Sequence, residues 1–287
     1  MSDVQGDYSM ANVFIFVLVT IVYYVFAKPS FSLADTESES SITAVLSNQK
    51  WMSMIYFLVI ITIQVIINAM AIINRCGDGS ASNIFSAFKM TIIPWFFIFG
   101  IMMTFVMAFP GVKTAFSDVI GYLSVSYSAN KVVSELLVDS EIEQQMNDDG
   151  MDESAKTSMR QSAQAIVSIL GNMSILINQI VPANFMSFWK TLVPLMKPKY
   201  KDNLDSQETQ ALKQKFLSLS VIRDNVGEAC WYIYTGIFVI FLVQSYIIEY
   251  KCDVDPRIMN ERYDEYKAKE KEEEEKKAQE NSVKYKM

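Results

Sequence analysis

Four apolar runs constrain the fold of this chain more than any other feature of its sequence. They occupy residues 10–27, 51–73, 90–109 and 229–248, and none of them contains Asp, Glu, Lys or Arg. About 20 predominantly apolar residues in a helix cross the hydrocarbon core of a bilayer, so each run is long enough for one span. The sequence therefore predicts an all-α membrane protein with about four transmembrane helices.

The positions of these runs divide the chain into a membrane region, a surface domain and a tail. Residues 1–109 carry three predicted spans, and residues 110–228 separate the third span from the fourth, at 229–248. Apolar residues in 110–228 recur at three-to-four spacing, which predicts a helical extramembrane domain. Residues 249–287 follow as a charged C-terminal helix and tail.

An even number of spans fixes the relative placement of these parts. Four spans put both termini on one side of the membrane and the surface domain on the other. Lys and Arg are distributed too evenly between the two sides to give the absolute orientation.

Two segments outside the spans mix polar and apolar residues. Residues 28–50 are rich in Ser, Thr, Asp and Glu, a composition typical of a loop, with one short helix as an open alternative. Residues 161–189 contain no charged residue but several amides. Two structures fit the second segment: a core helix of the surface domain, or a helix in the headgroup layer with Phe185, Phe188 and Trp189 inserted into the membrane.

The composition excludes most catalytic chemistry. The chain has no histidine, which removes the commonest general base and the commonest metal ligand. It contains neither a Gly-rich phosphate loop nor a nucleophile motif. We therefore predict no enzymatic activity, no catalytic residue, no cofactor and no metal site. The net charge of −7 also predicts no binding to nucleic acid.

The cysteines are few and far apart. Cys76, Cys230 and Cys252 have neither the spacing of a zinc site nor the density of a disulfide framework. The favoured interpretation is three free thiols near the membrane boundaries. Because Cys76 and Cys252 are predicted to lie on the same side of the membrane, a disulfide between them stays open.

Two amides interrupt the second span. Gln64 and Asn68 are four residues apart, so they share one face of a helix. The favoured interpretation is a polar contact between helices, and the alternative is the lining of a pore. An ion path normally contains ionisable residues, and this span has none.

The tail carries one narrow apolar stripe on a highly charged helix. Met259, Tyr263 and Tyr266 recur at helical spacing. They are candidates for docking a protein partner, while a solvated helix with alternating charges is the alternative.

A compact turn follows the third span. Its residues are Phe109, Pro110, Gly111, Phe116, Ser117, Asp118 and Gly121. Proline lacks an N–H and glycine permits unusual backbone angles, so the chain can turn abruptly at the bilayer surface. Ser117 or Asp118 is suited to cap the next helix, and the two phenylalanines to pack the turn against the membrane. We expect a rigid exit turn that sets the angle at which the surface domain leaves the bilayer and has no catalytic role.

This region also resembles a known family. The motif in residues 92–122, with Pro94 and Trp95 in the span and Phe109-Pro110-Gly111 after it, is similar to a membrane protein of nucleocytoplasmic large DNA viruses, the giant icosahedral viruses. Val112 and Ala115 stand where that pattern has Trp and Pro, and the specific match covers about a tenth of the chain. The resemblance implies a minor capsid protein in the internal membrane beneath the capsid shell.

Three functions follow from these observations. The leading hypothesis is a structural virion protein that anchors or bridges the internal membrane to the shell, with the surface domain and the tail binding major or minor capsid proteins. Its partners would be the lipid bilayer and capsid proteins, and self-association stays open. The first alternative is a pore-forming oligomer with Gln64 and Asn68 facing the lumen. The second is a fusion factor that brings the particle into a cell.

Overall fold

The computed structural model describes residues 2–77, 79–137, 172–252 and 256–284. It is 87% helical, and these residues form no strand. Four of its helices are long and apolar enough to cross a membrane. The predicted all-α membrane fold is therefore confirmed.

The membrane bundle begins with three crossings. Its helical segments, in chain order, are α1 (Ser2–Val22), a π-helical turn (Tyr23–Ala27), α2 (Glu39–Cys76), α3 (Ala81–Pro94), a second π-helical turn (Trp95–Gly100) and α4 (Ile101–Ala108). The last three segments continue one another, so the third crossing is a single helix of 28 residues. Pro94 is tolerated inside this helix because the π-helical turn and neighbouring helices accommodate its missing N–H.

The surface domain is built from shorter helices. They are α5 (Pro110–Phe116), a third π-helical turn (Ser117–Gly121), α6 (Tyr122–Leu136), α7 (Met173–Gln179), α8 (Phe185–Leu192) and α9 (Pro198–Lys201). Phe185 and Trp189 on α8 are buried against Phe216 and its neighbours. The part of residues 161–189 that the structure describes therefore belongs to the core of the surface domain, and residues 161–171 lie outside the described residues.

One helix joins the two regions. Helix α10 (Gln207–Glu249) starts in the surface domain and continues through the membrane bundle without a break. Its first half packs Leu212, Phe216 and Leu219 into the surface core. Its second half packs Tyr232 and Val239 into the membrane core, which also contains Phe16 and Trp95. Helix α11 (Pro256–Lys284) then forms the charged tail.

One helix begins earlier than its composition indicated. Helix α2 starts at Glu39, so much of residues 28–50 is helix rather than loop. Ser38 makes this possible, because its hydroxyl accepts a hydrogen bond of 3.1 Å from the N–H of Ser41 and caps the helix. Ser206 caps α10 in the same way, through the N–H of Thr209. Once capped, each polar segment continues directly into an apolar span.

Candidate functional site

Two glycines allow the surface domain and the last membrane helix to cross at very short distance. A Cβ atom on Gly121 would lie 2.4 Å from the carbonyl oxygen of Arg223, and one on Gly227 would lie 2.6 Å from the backbone nitrogen of Ser117. Real Cβ atoms do not approach backbone atoms so closely, so only glycine fits at either position. The crossing therefore joins the third π-helical turn to the centre of α10.

This close approach gathers five charged residues at one membrane boundary. They come from the end of the first span, the start of the surface domain and the centre of α10: Lys28, Lys113, Arg223, Asp224 and Glu228. We call them the boundary cluster. Three cations face two carboxylates, so the cluster has a net charge of +1.

Glu228 is the central acceptor of the boundary cluster. Its Oε1 accepts hydrogen bonds from Lys28 Nζ at 2.9 Å and from the Tyr24 hydroxyl at 3.0 Å. Lys113 Nζ lies 3.5 Å from the other oxygen. The side chains of Lys28 and Glu228 are only 4% and 7% exposed. Burial lowers the pKa of Lys28, and the attraction of Glu228 offsets that effect only in part.

Arg223 extends the boundary cluster into the surface domain. Its guanidinium donates hydrogen bonds to the carbonyl oxygens of Ile177 and Ile180, and to Asp224 Oδ1 at 2.6 Å. These carbonyls lie at the end of α7, where a helix leaves its last C=O groups without intrahelical partners. The buried arginine thus links α7 to α10, and its hydrogen bonds satisfy both the guanidinium and the last carbonyl groups of α7.

Trp231 adds a further contact between α10 and α5, next to the boundary cluster. Its indole Nε1 donates to the carbonyl oxygen of Val112 at 2.7 Å, and its ring packs edge-on against Phe116 at 4.8 Å between centroids. The boundary cluster and Trp231 together hold the first helix of the surface domain against α10. This chemistry fixes an orientation, because Lys28, Arg223 and Glu228 each form hydrogen bonds to groups from another segment of the chain. In the described part of the chain, no group of three or more His, Cys, Asp and Glu side chains could hold a metal ion.

The predicted exit turn has a different geometry from the one expected. Pro110 is the first residue of α5, so the helix starts there and not after Ser117 or Asp118. Ser117 is no cap, since its hydroxyl donates to the carbonyl oxygen of Lys113 inside the helix. Gly111 has no positive φ and no atom within 4 Å of an added Cβ. The glycine that the geometry requires is Gly121.

The two phenylalanines of the turn and Asp118 also differ in their roles. Phe109 is exposed and contacts the ring of Phe105 at 5.4 Å, whereas Phe116 packs against Trp231. The carbonyl oxygen of Asp118 accepts a hydrogen bond of 3.0 Å from Asn178, which links the turn to α7. The turn is therefore held from the surface domain as well as from α10.

The amides of the second span lie inside the bundle. Gln64 Nε2 donates to Asn12 Oδ1 at 2.7 Å, and Asn68 Nδ2 donates to Thr91 Oγ1 at 3.1 Å. Gln244 donates in turn to Asn68 at 3.2 Å. Both amides are almost fully buried and connect α2 to three other helices. A pore lining would instead leave them exposed on the surface of the chain.

The tail residues are exposed. Met259, Tyr263 and Tyr266 are each more than half accessible to solvent, and Lys267 stacks over the ring of Tyr263 at 5.1 Å. The apolar stripe predicted from their spacing is thus presented at the surface of α11.

The prediction of three free thiols was wrong for two of them. Cys76 and Cys252 form a disulfide across 176 residues of sequence, with their Cα atoms 5.4 Å apart. It joins the end of α2 to the segment after α10. Cys230 is a free thiol. The bond lies beside the ends of the second and fourth candidate spans, which share one side of the membrane if all four spans cross it.

Sequence reasoning missed the boundary cluster. Lys28 and Glu228 each lie directly beside a predicted span, and Lys113 lies a few residues beyond another. All three belong to segments predicted on the same side of the membrane, so opposite charges at neighbouring span ends are the available signal. No family model, curated protein or solved structure matches this chain.

Proposed function

We propose that this chain is a structural multi-pass membrane protein that holds a helical domain on one face of a bilayer and a charged helix on the other. The observation that carries the proposal is the continuity of α10 across both regions. Its 43 residues give a length of about 65 Å, roughly twice the thickness of the hydrocarbon core. A continuous helix of this length fixes the position of the surface domain relative to the segment that emerges on the other side of the membrane.

The boundary cluster supports a mechanical role. The buried pair of Lys28 and Glu228 and the guanidinium of Arg223 fix the surface domain against the bundle. A hinged domain would need few buried contacts at this level. The domain is instead held in one orientation, as an anchor requires.

The resemblance of residues 92–122 gives the proposal its specific form. In that form the chain lies in the internal membrane of a virion beneath the capsid and bridges the membrane to major or minor capsid proteins. Its localisation and its partners would then be the particle, the bilayer and the shell.

The topology refines this bridging role. The surface domain and α11 lie on opposite sides of the membrane if the four long helices cross it. Only one of them can reach a shell that surrounds the membrane, so they cannot both bind the capsid as first expected. The exposed Met259, Tyr263 and Tyr266 make α11 the better candidate for a protein dock.

Incorporation into particles tests this role. Replacing Met259, Tyr263 and Tyr266 by Ser should leave membrane insertion unchanged and reduce the amount of the chain in purified particles. The matched control replaces Glu270, Glu274 and Lys277 on the same helix by Ser and should incorporate normally. Equal incorporation of both variants would exclude α11 as the dock, and a particle map with the chain far from membrane and shell would end the proposal.

A further inference from the structure

A cavity of about 230 Å³ opens beside the boundary cluster. Lys28, Lys113, Arg223 and Asp224 lie in its charged wall, whereas Glu228 does not line it. Three cations and one carboxylate therefore belong to the lining, although the side chains of Lys28 and Arg223 are only 4% and 1% exposed. Apolar residues, Phe31 and Leu46 among them, complete the lining. A lining that combines cations with apolar side chains suits an amphiphilic anion.

Lys113 is the cation with free binding capacity. Lys28 is held by Glu228 at 2.9 Å, and Arg223 is bound to two carbonyls and a carboxylate. Lys113 Nζ lies 3.5 Å from Glu228 and 4.0 Å from Asp224, and its side chain is 23% exposed. An ammonium group has three donors, and contacts this long leave it able to bind a closer oxygen.

Asn178 adds an acceptor without a partner. Its Nδ2 donates to the carbonyl oxygen of Asp118 at 3.0 Å, whereas its Oδ1 is buried and has no hydrogen-bond partner. The residue lines the cavity. A buried acceptor without a donor is costly, so this oxygen favours a ligand that brings an O–H or N–H group.

The cavity lies at the level of lipid headgroups. Lys28 directly follows the first candidate span, Met10–Ala27, and Pro110 comes two residues after the third, Ala81–Ala108. Trp51, which is exposed, marks the same boundary on α2, as interfacial tryptophans do. A headgroup can reach the charged wall from this depth while its acyl chains stay in the bilayer.

We propose that this cavity binds the headgroup of an anionic, hydroxyl-bearing phospholipid. The phosphodiester accepts from Lys113, with Lys28 and Arg223 adding positive potential, and a headgroup hydroxyl donates to Asn178 Oδ1. The same chemistry occurs in a free phosphate ester, so lipid and soluble ligands must be compared. Basic pockets at the ends of membrane helices are known sites for such headgroups.

Ligand-dependent thermal unfolding of the full chain in a neutral detergent tests the proposal. Phosphatidylglycerol should raise the melting temperature, because a ligand that binds only the folded state stabilises it. Phosphatidylcholine should have no effect at the same concentration. A shift of equal size from glycerol 3-phosphate or inorganic phosphate would show a soluble phosphate site and overturn the lipid assignment.

Variants locate the effect in the cavity. Lys113→Gln should weaken phosphatidylglycerol binding about fivefold, the weight of one lysine at an anionic lipid surface. Lys131→Gln, an exposed lysine of the surface domain, is the matched control and should bind normally. If both variants respond to the lipid as the unmodified chain does, binding occurs elsewhere and the proposal fails.

A second variant keeps the test decisive if Lys113→Gln does not fold. Phosphatidylglycerol should bind more tightly than phosphatidylethanol, an anionic phosphodiester without a headgroup hydroxyl. Asn178→Leu removes the acceptor and should abolish this preference. An unchanged preference would overturn the role of Asn178 in the proposed site.

Discussion

The two ends of the membrane bundle are fastened by different chemistry. At the surface-domain end, buried ion pairs join α10 to Lys28 after the first span and to Lys113 on α5. Two glycine contacts join α10 to the third π-helical turn. At the tail end, the Cys76–Cys252 disulfide joins α2 to the segment after α10. A hydrogen bond of 3.1 Å from the Tyr250 hydroxyl to Asn83 lies near it.

The difference shows what each end has to hold. A disulfide stabilises mainly by restricting the unfolded chain, and it fixes a distance rather than an orientation. The boundary cluster contains Lys28, which directly follows the first span, together with groups from the surface domain and α10, so it defines how a whole domain is oriented on the bundle. Separate perturbations of the two ends should therefore have different consequences.

The largest effect is expected at the boundary cluster. Glu228→Gln removes the carboxylate that compensates Lys28 and Lys113, and an uncompensated buried charge costs about 3–5 kcal/mol. Reversible unfolding in detergent would measure this loss. Glu208→Gln, which breaks the exposed pair with Lys199, is the control and should unfold as the unmodified chain does. Comparable free energies of unfolding for the two variants would mean that the boundary cluster does not stabilise the contact between the surface domain and the bundle.

A smaller effect is expected from the disulfide. Cys76→Ser should lower the free energy of unfolding by about 2–4 kcal/mol, because the bond closes a long loop of the unfolded chain. Reducing agent should reproduce this change in the unmodified chain and have no effect on the variant. Cys230→Ser, which alters the free thiol, is the control. A reductant effect that persists in Cys76→Ser would contradict the assignment.

The smallest effect comes from the helix crossing. Gly227→Ala places a methyl group against the backbone of Ser117, and overpacking of this kind costs about 1–3 kcal/mol. Gly111→Ala meets open space and should be neutral or stabilising by up to about 1 kcal/mol, from helix propensity. Equal destabilisation of both variants would contradict this difference. It would indicate that Gly111 is needed for the backbone angles of the exit turn, as the sequence predicted. Thermal unfolding of the two variants side by side measures the difference.

The four long apolar helices could be predicted from the sequence because hydropathy is a local property of each segment. An uncharged run such as residues 51–73 identifies itself through its own hydropathy, and Gln64 and Asn68 share a face by helical period alone. The start of α2 was harder to predict, since one serine cap decides whether a polar segment is loop or helix. The site was missed because Lys28 and Glu228 are 200 residues apart in the chain.

The amino-acid sequence by itself determined the helical class and the four candidate spans. Hydropathy is sufficient for those conclusions, because it is a property of each segment of the chain taken alone. Only the tertiary structure decided that Glu228 is a buried acceptor, that Gly121 and not Gly111 is the constrained glycine, and that Cys76 pairs with Cys252. These facts depend on contacts between distant segments, and a contact is set by how close two helices can pack.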